Sequence, residues 1–436
     1  MYQAPMRRRR LLKTAVAAPL AAAWPPARAI DTPGWGAAAR IAADFEPAAA
    51  IWLGCDPGHE AMTVALAAAL QPHAPLRLLV RDADARAQAL QALAVGGVDT
   101  TRVPVWLDPQ APYFLRDGAV FARDESGRLA MVDLRWSHYG WRHWCRLRHR
   151  GDLRRLAECA VVDDEPSDGV DRRLASALGL PLFSSPLAME GGGIEVNGRG
   201  LLIANEALWL SRHPGRSRAE IEAQILRLPG VRRVIWLPAG LAHDPLHRGT
   251  IVGRHVGWGT GGHTDQFVRF ADERTVLLAW PDAAEAARHP VARLNLQRMQ
   301  RNWAVLARST DLQGRPLRVL KLPLPQVVER PVVLSADADT AHSAQWSADS
   351  FASQERRRQG DGVMQVASAS YANFVVANDL VLLPDYLPHG TPAALQAGVR
   401  QVAAAAFPGR EIRFIDAMAL NWVGGGPHCA TLNEPA

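Results

Sequence analysis

What most limits the folds open to this chain is a unit that recurs along it: strand, tight turn, strand, helix, strand. One copy opens at Gly118, with strand 119–122, a turn at Asp124-Glu125-Ser126-Gly127 and a return along 129–134. A second runs through 194–196, the turn Asn197-Gly198-Arg199-Gly200 and strand 201–204, then helix 217–227 and strand 231–237. Asn-Gly favours a hairpin because both residues tolerate positive φ. The third copy has strands 266–270 and 275–280, a single helix from about 283 to 307, and strand 317–322. The fourth has strands 372–376 and 380–383, helix 392–406 and strand 411–415. The stretch 50–53, 60–70 and 76–80 lacks the first strand of a hairpin, and segment 428–432 can supply it by pairing the two chain ends.

Five such units predict an α/β ring, a five-bladed pseudosymmetric propeller of ββαβ units, with an ordinary layered α/β domain as the alternative. Closure accounts for about 400 residues without a linker and removes exposed sheet edges. Residues 335–365 have little periodicity and read as a long loop, a candidate lid. Asp117, Glu190, His263 and Cys429 each sit at or just before the first strand of a different unit, so the ring brings them near one axis.

Residues 1–29 stand outside the fold. Arg8-Arg9-Arg10-Leu11-Leu12-Lys13, a short apolar run and Ala27-Arg28-Ala29 predict a twin-arginine export signal, too short in its apolar part to span a bilayer. Cleavage leaves residues 30–436 as a single catalytic domain, periplasmic or secreted, with the export machinery as a partner and no membrane contact. Six of the 49 Lys and Arg residues lie in the signal, so the remainder carries 43 against 43 acidic residues. A formally neutral mature chain gives no support to nucleic-acid binding. The four cysteines include Cys145 and Cys159, whose pairing the sequence leaves open, and no zinc-type Cys-x-x-Cys spacing occurs.

The polar residues set beside glycine are Arg116-Asp117-Gly118, Glu190-Gly191-Gly192-Gly193, Gly261-Gly262-His263-Thr264-Asp265 and Gly426-Pro427-His428-Cys429. Asp117 and Asp265 in one closed pocket repel unless a cation lies between them. A planar guanidinium fits that place better than a metal ion, since a complete ligand set beyond His263 and Asp265 is not evident. A guanidinium carbon needs a strong nucleophile, which Cys429 can be, and a proton donor for the departing nitrogen, which His263 can be. Glu190 can orient or charge that histidine. Taken singly, each has a plainer reading: a buried cysteine, an Arg116–Asp117 ion pair, capped turns, a structural histidine. As a set at equivalent points of a repeat, they point to cysteine chemistry on a cationic substrate.

These blocks, together with Leu322-Pro323-Leu324-Pro325 and Ser370-Tyr371-Ala372-Asn373-Phe374, resemble the agmatine deiminase and bacterial peptidyl-arginine deiminase family of guanidino-group-modifying enzymes. The resemblance covers nearly all of the mature chain. It implies a pentein fold, the same five-bladed ring, and cofactor-free, metal-free hydrolytic deimination through a covalent thiouronium. It implies Cys429 as nucleophile, His263 as general acid/base with Glu190 beside it, and Asp117 and Asp265 as the guanidinium clamp, with Arg116 counted among the substrate-binding residues. Agmatine, giving N-carbamoylputrescine on the way to putrescine, leads; an arginine-containing peptide or free arginine giving citrulline is the alternative. An exported guanidine-binding protein without activity is the reading from another class. Departures cluster where the substrate tail should be read: Phe114-Leu115-Arg116-Asp117-Gly118-Ala119 lacks the usual tryptophan, and Pro427 replaces an aliphatic residue. The segment Arg135-Trp136-Ser137-His138-Tyr139-Gly140-Trp141 matches a family aromatic stretch only loosely.

Overall fold

Asn197 folds its side chain back to accept from Arg199 N (2.9 Å) and Leu201 N (3.0 Å), closing the turn that Gly198 completes at φ 64°. Strand Glu195–Val196 therefore returns antiparallel along Leu201–Asn205, which pairs in parallel with Arg233–Leu237. In the computed structural model, which describes residues 39–149, 159, 169–336, 345–352 and 355–436, this three-strand motif occurs five times. Blade 1 is Thr431–Pro435, Ala48–Gly54 and Leu76–Val80. Blade 2 is Val120–Arg123, Leu129–Asp133 and Leu182–Ser184. Blade 3 is the motif just described. Blade 4 is Val268–Phe270, Thr275–Trp280 and Arg318–Pro323; blade 5 is Val375–Ala377, Leu380–Pro384 and Glu411–Ile415.

Five apolar clusters hold the ring, one per blade interface. Trp52, Leu79 and Leu432 pack on Phe121 and Met131 between blades 1 and 2. Val120 and Val132 meet Val196 and Leu202 between blades 2 and 3. Ile203 and Ile235 meet Phe270 and Leu278 between blades 3 and 4, and Leu277 and Leu322 meet Val381 and Leu383 between blades 4 and 5. The ring closes where Ile51, Leu53 and Leu78 pack on Val375, Leu380 and Leu382. Burying one such leucine contributes about 2 kcal/mol, so closure is held by packing at every joint.

Several details differ from the sequence expectation. The closing strand is Thr431–Pro435, not 428–432: Thr431 and Leu432 pair with Leu53 and Trp52, and His428–Ala430 are left for the turn that carries the cysteine. The helix expected over 283–307 is two, Ala283–Arg288 and Pro290–Leu306. Proline has no N–H to continue the first helix, so His289 takes an extended conformation and caps the second. The helix expected over 217–227 is Arg218–Ile225, started by a reciprocal Ser217–Glu220 capping box.

Residues 335–365 are not wholly loop. Gly362–Val366 is the third strand of a separate sheet, between His255–Thr260 and Glu329–Val333, with Leu246–Val252 at the far edge. Trp346 and Phe351 are buried against Val256 and Val363, giving the added sheet its own small core. A disulfide joins Cys145, on helix Trp141–Arg148, to Cys159. The proposed export signal lies outside the described residues. Among those described, no helix is long and apolar enough to cross a membrane.

Candidate active site

Three blades begin with a short helical turn: Leu115–Gly118, Gly191–Gly193 and Thr264–Gln266 stand just before Val120, Glu195 and Val268. Each turn swings a polar side chain to the axis before the strand carries the chain away. Asp117, Glu190, His263 and Asp265 arrive this way, and Cys429 arrives two residues before Thr431. Blade 5 supplies a sixth member the sequence did not single out: Asn373, two residues before Val375. All are buried, His263 and Glu190 completely.

The contacts fall into two sets, one around Asp117 and His263 and one around Asp265 and Cys429. His263 Nε2 lies 3.2 Å from Glu190 Oε2, and His263 Nδ1 lies 3.5 Å from Asp117 Oδ1. Gly192 N donates to Asp117 Oδ1 (3.1 Å), and Tyr139 Oη donates to Asp117 Oδ2 (3.1 Å). The Cys429 thiol is 3.4 Å from Asp265 Oδ2, and Asn373 Nδ2 donates to Cys429 Sγ at 3.3 Å. His428 Nδ1 lies 2.8 Å from Asp265 Oδ2 and its Nε2 lies 2.7 Å from Asp44 Oδ2. Glycine is needed at 192 because a Cβ there would sit 2.5 Å from His263 Nδ1, 2.8 Å from Asp117 Oδ1 and 3.1 Å from Asp265 Oδ2. The histidine loop turns through Gly261 and Gly262, both at left-handed φ, and Asp244 Oδ2 accepts from Gly262 N and His263 N.

Burial against this many charges separates the titrations. Burial, with Asp265 and Glu190 nearby, raises Asp117 to about 7 against the pull of His263. Burial pushes His263 down, but Asp117, Glu190 and Asp265 outweigh it and hold it at about 9. Glu190 falls to about 2: burial raises it, and Arg212 and His263 more than reverse that. Burial and the Asp265 and Asp117 charges push the Cys429 thiol well above its ordinary value. Asp265 is lowered because His428, His263 and Arg269 outweigh its burial. Burial, Arg116 and Arg269 pull His428 downward, yet both of its ring nitrogens sit within 2.8 Å of a carboxylate. Two such contacts need two N–H donors, so geometry favours the imidazolium here.

Two polar atoms in this cage are buried without a hydrogen-bond partner among the described residues: His263 Nδ1 and Asp265 Oδ1. The open Asp265 oxygen accepts and the Nδ1–H of the charged ring donates, which beside a thiol marks the place for a small cation with a nitrogen that can take up a proton.

Arg116 is not among the groups brought to the cage. Its Nη1 donates to Asp44 Oδ1 and its Nη2 to Asn433 Oδ1, both at 3.0 Å. In the short turn Leu115–Gly118, neighbouring side chains diverge, so Asp117 faces the axis while Arg116 faces Asp44. Asp44 collects Arg269 and His428 as well, forming an ionic brace behind the thiol turn. Nor does Arg116 pair with Asp117.

Tyr139, Arg212, Asp244, Asp44 and His428 join the site with no role expected for them from the sequence. Arg212 is buried beneath Glu190, its Nε donating to Oε2 at 2.9 Å and its Nη2 to Thr260 O at 2.6 Å. Nothing local marks it, since it closes helix Glu206–Arg212 like any C-terminal arginine. His428 and Asn373 lay inside the quoted motif blocks, and the fivefold repeat alone calls for a blade 5 residue at the position of Asn373.

Residues 35–435 match the family described as Porphyromonas-type peptidyl-arginine deiminase. A Selenomonas ruminantium protein provisionally named as an agmatine deiminase is 30% identical over 325 residues, 73% of this chain and 72% of that one. The agmatine deiminase of Stutzerimonas stutzeri is 28% identical over 355 residues, 80% and 82% of the two chains. The solved structure of an agmatine deiminase from Enterococcus faecalis superposes with a TM-score of 0.65 over 91% of this chain and 96% of that one, at 22% identity. That last likeness is one of fold, the five-bladed ring.

Proposed function

Because the chain belongs to the Porphyromonas-type peptidyl-arginine deiminase family, we propose that it is a guanidine deiminase using Cys429, with agmatine as leading substrate. The observation that carries this reading is the pair of open buried atoms, His263 Nδ1 and Asp265 Oδ1, beside the Cys429 thiol.

A guanidinium entering between Asp117 and Asp265 supplies the missing cation. Its positive charge lowers Asp117 again and favours thiolate over thiol at Cys429, with Asn373 donating to the sulfur. The thiolate attacks the guanidinium carbon, forming a C–S bond. His263, protonated at neutral pH because Asp117 and Glu190 hold it so, gives its proton to the departing nitrogen, and ammonia leaves. The product is a thiouronium on Cys429. Water then attacks the same carbon, one of its protons returning to His263 and the other leaving to be taken up by the released ammonia, and the C–S bond breaks to give a ureido compound and the free thiolate. Agmatine and water thus become N-carbamoylputrescine and ammonia. Glu190 and Arg212 act through His263, keeping its ring charged and oriented.

A peptidyl-arginine substrate giving citrulline is the second reading. Its support is the twin-arginine pattern Arg8-Arg9-Arg10-Leu11-Leu12-Lys13 and the Cys145–Cys159 disulfide, both suited to an exported enzyme in an oxidising compartment. The test is ammonia release by the full-length chain offered agmatine, arginine and a peptide ending in arginine. Ammonia from one of them, lost with Cys429→Ala, supports the deiminase and names its substrate. Guanidine binding without ammonia from any of them replaces it with a binding protein.

A further inference from the structure

We propose that His255, His289 and Glu329 form a divalent transition-metal site, of the zinc class, that clips the added sheet to blade 4. The three residues open three different elements: strand His255–Thr260, the cap of helix Pro290–Leu306, and strand Glu329–Val333. Strand pairing explains why they meet. His255 and Pro331 both lie opposite Met364 on strand Gly362–Val366, and Glu329, two residues from Pro331, shares their face. Arg330, one residue on, points to the other face, where it donates to Gln365 and covers Trp422. The helix break at Pro290 then brings His289 over the same face.

The spacing fits ligands of one ion, with His289 Nε2 also within hydrogen-bond reach of Glu329. The three ligand atoms lie within 4.8 Å of one another, and His255 Nε2 and His289 Nε2 are each 3.3 Å from Glu329 Oε2. Bonds of about 2.0–2.1 Å in a tetrahedral zinc site give an edge of about 3.3–3.4 Å. The proton positions add a second reason. His255 Nδ1 faces Val252 O at 3.2 Å and so carries the proton of the neutral ring. Its Nε2 then turns a lone pair toward a carboxylate oxygen, an arrangement that only a shared cation, proton or metal, makes favourable. His289 Nδ1 accepts from Val291 N at 3.2 Å, so occupation moves its proton from Nε2 to Nδ1 and gives up that long cap bond. The side chains are 15–27% exposed, leaving a path for the ion and room for water as a further ligand.

The probe is zinc alone, then cobalt, titrated into the full-length chain in a Cys429→Ala background so that neither metal meets the active-site thiol. The expected result is one equivalent bound, with the strong visible absorption of four-coordinate cobalt and a rise in thermal midpoint. His255→Ala and Glu329→Gln should each weaken binding at least tenfold and abolish the midpoint rise. Glu329→Gln keeps the side-chain shape, so its effect is separable from misfolding. Binding weaker than about 100 μM, or binding unchanged in both variants, would overturn the proposal and leave a plain hydrogen-bonded cluster.

Discussion

Replacing Asp117 by asparagine should stabilise the protein while abolishing its activity. Asp117 is 3% exposed and its carboxyl is raised to about 7 from an ordinary 3.8, chiefly by burial. The folded state therefore holds a proton that the unfolded chain has lost between those values, and stability falls as pH rises from about 4 to about 7. Three pKa units at about 1.4 kcal/mol each place the cost of the ionised side chain on the order of 4 kcal/mol above pH 7. Asparagine keeps the acceptor for Gly192 N and offers its amide to Tyr139 Oη, which can accept in turn, so the hydrogen bonds survive without the charge. His263 offsets part of the effect. Its stabilisation is complete below 6.5 and is lost as pH rises through about 9, and it weakens without Asp117. Glu195 and Asp171, also raised to about 7 by burial, titrate in the same window and are left untouched. Urea unfolding from about pH 4 to about pH 8 should show Asp117→Asn equal to the parent at the acid end and up to about 4 kcal/mol more stable at the alkaline end. Equal pH slopes in the two proteins, or a variant that still releases ammonia, would refute the reasoning.

Asn373→Ala removes a donor to the sulfur and should lower kcat/KM about 10- to 100-fold, the worth of one hydrogen bond to a charged group, as ammonia kinetics would measure. Arg116→Ala should destabilise by about 2–3 kcal/mol, since it strips Asp44 of one partner, while KM stays near the parent value; a large KM effect with intact stability would return Arg116 to the substrate. Opening the Cys145–Cys159 disulfide, with 14 residues of separation, should cost about 3 kcal/mol, seen as a lower thermal midpoint in reductant that Cys159→Ser reproduces without it.

Most of the ring was legible because each blade is announced locally. Turns at Asp124–Gly127 and Asn197–Gly200 separate short apolar strands, and strands 275–280 and 411–415 begin and end where expected. Boundaries slipped where a tertiary need overrode periodicity: the thiol turn took His428–Ala430 from the closing strand, and Pro290 split a helix whose apolar spacing runs through it. The added sheet was missed because Gly362–Val366 gains its partners from segments about 30 and 100 residues away. At the site, Asp117, Glu190, His263, Asp265 and Cys429 were marked by glycine and by position in the repeat. Arg212, Tyr139 and Asp44 act by reaching across blades, which no local pattern records. Arg116 was misplaced because adjacency to Asp117 says nothing about where its side chain points. His255, His289 and Glu329 are too far apart in sequence to suggest a common ligand.

Deimination here turns on a covalent bond between Cys429 and the substrate carbon. Acid quench of the full-length chain during turnover of agmatine, followed by mass spectrometry of the peptide holding Cys429, tests it most directly. The expected result is an adduct on Cys429 with the mass of the substrate less ammonia, absent from Cys429→Ala, which also releases no ammonia. Ammonia release that persists in Cys429→Ala with no adduct on the parent would contradict it.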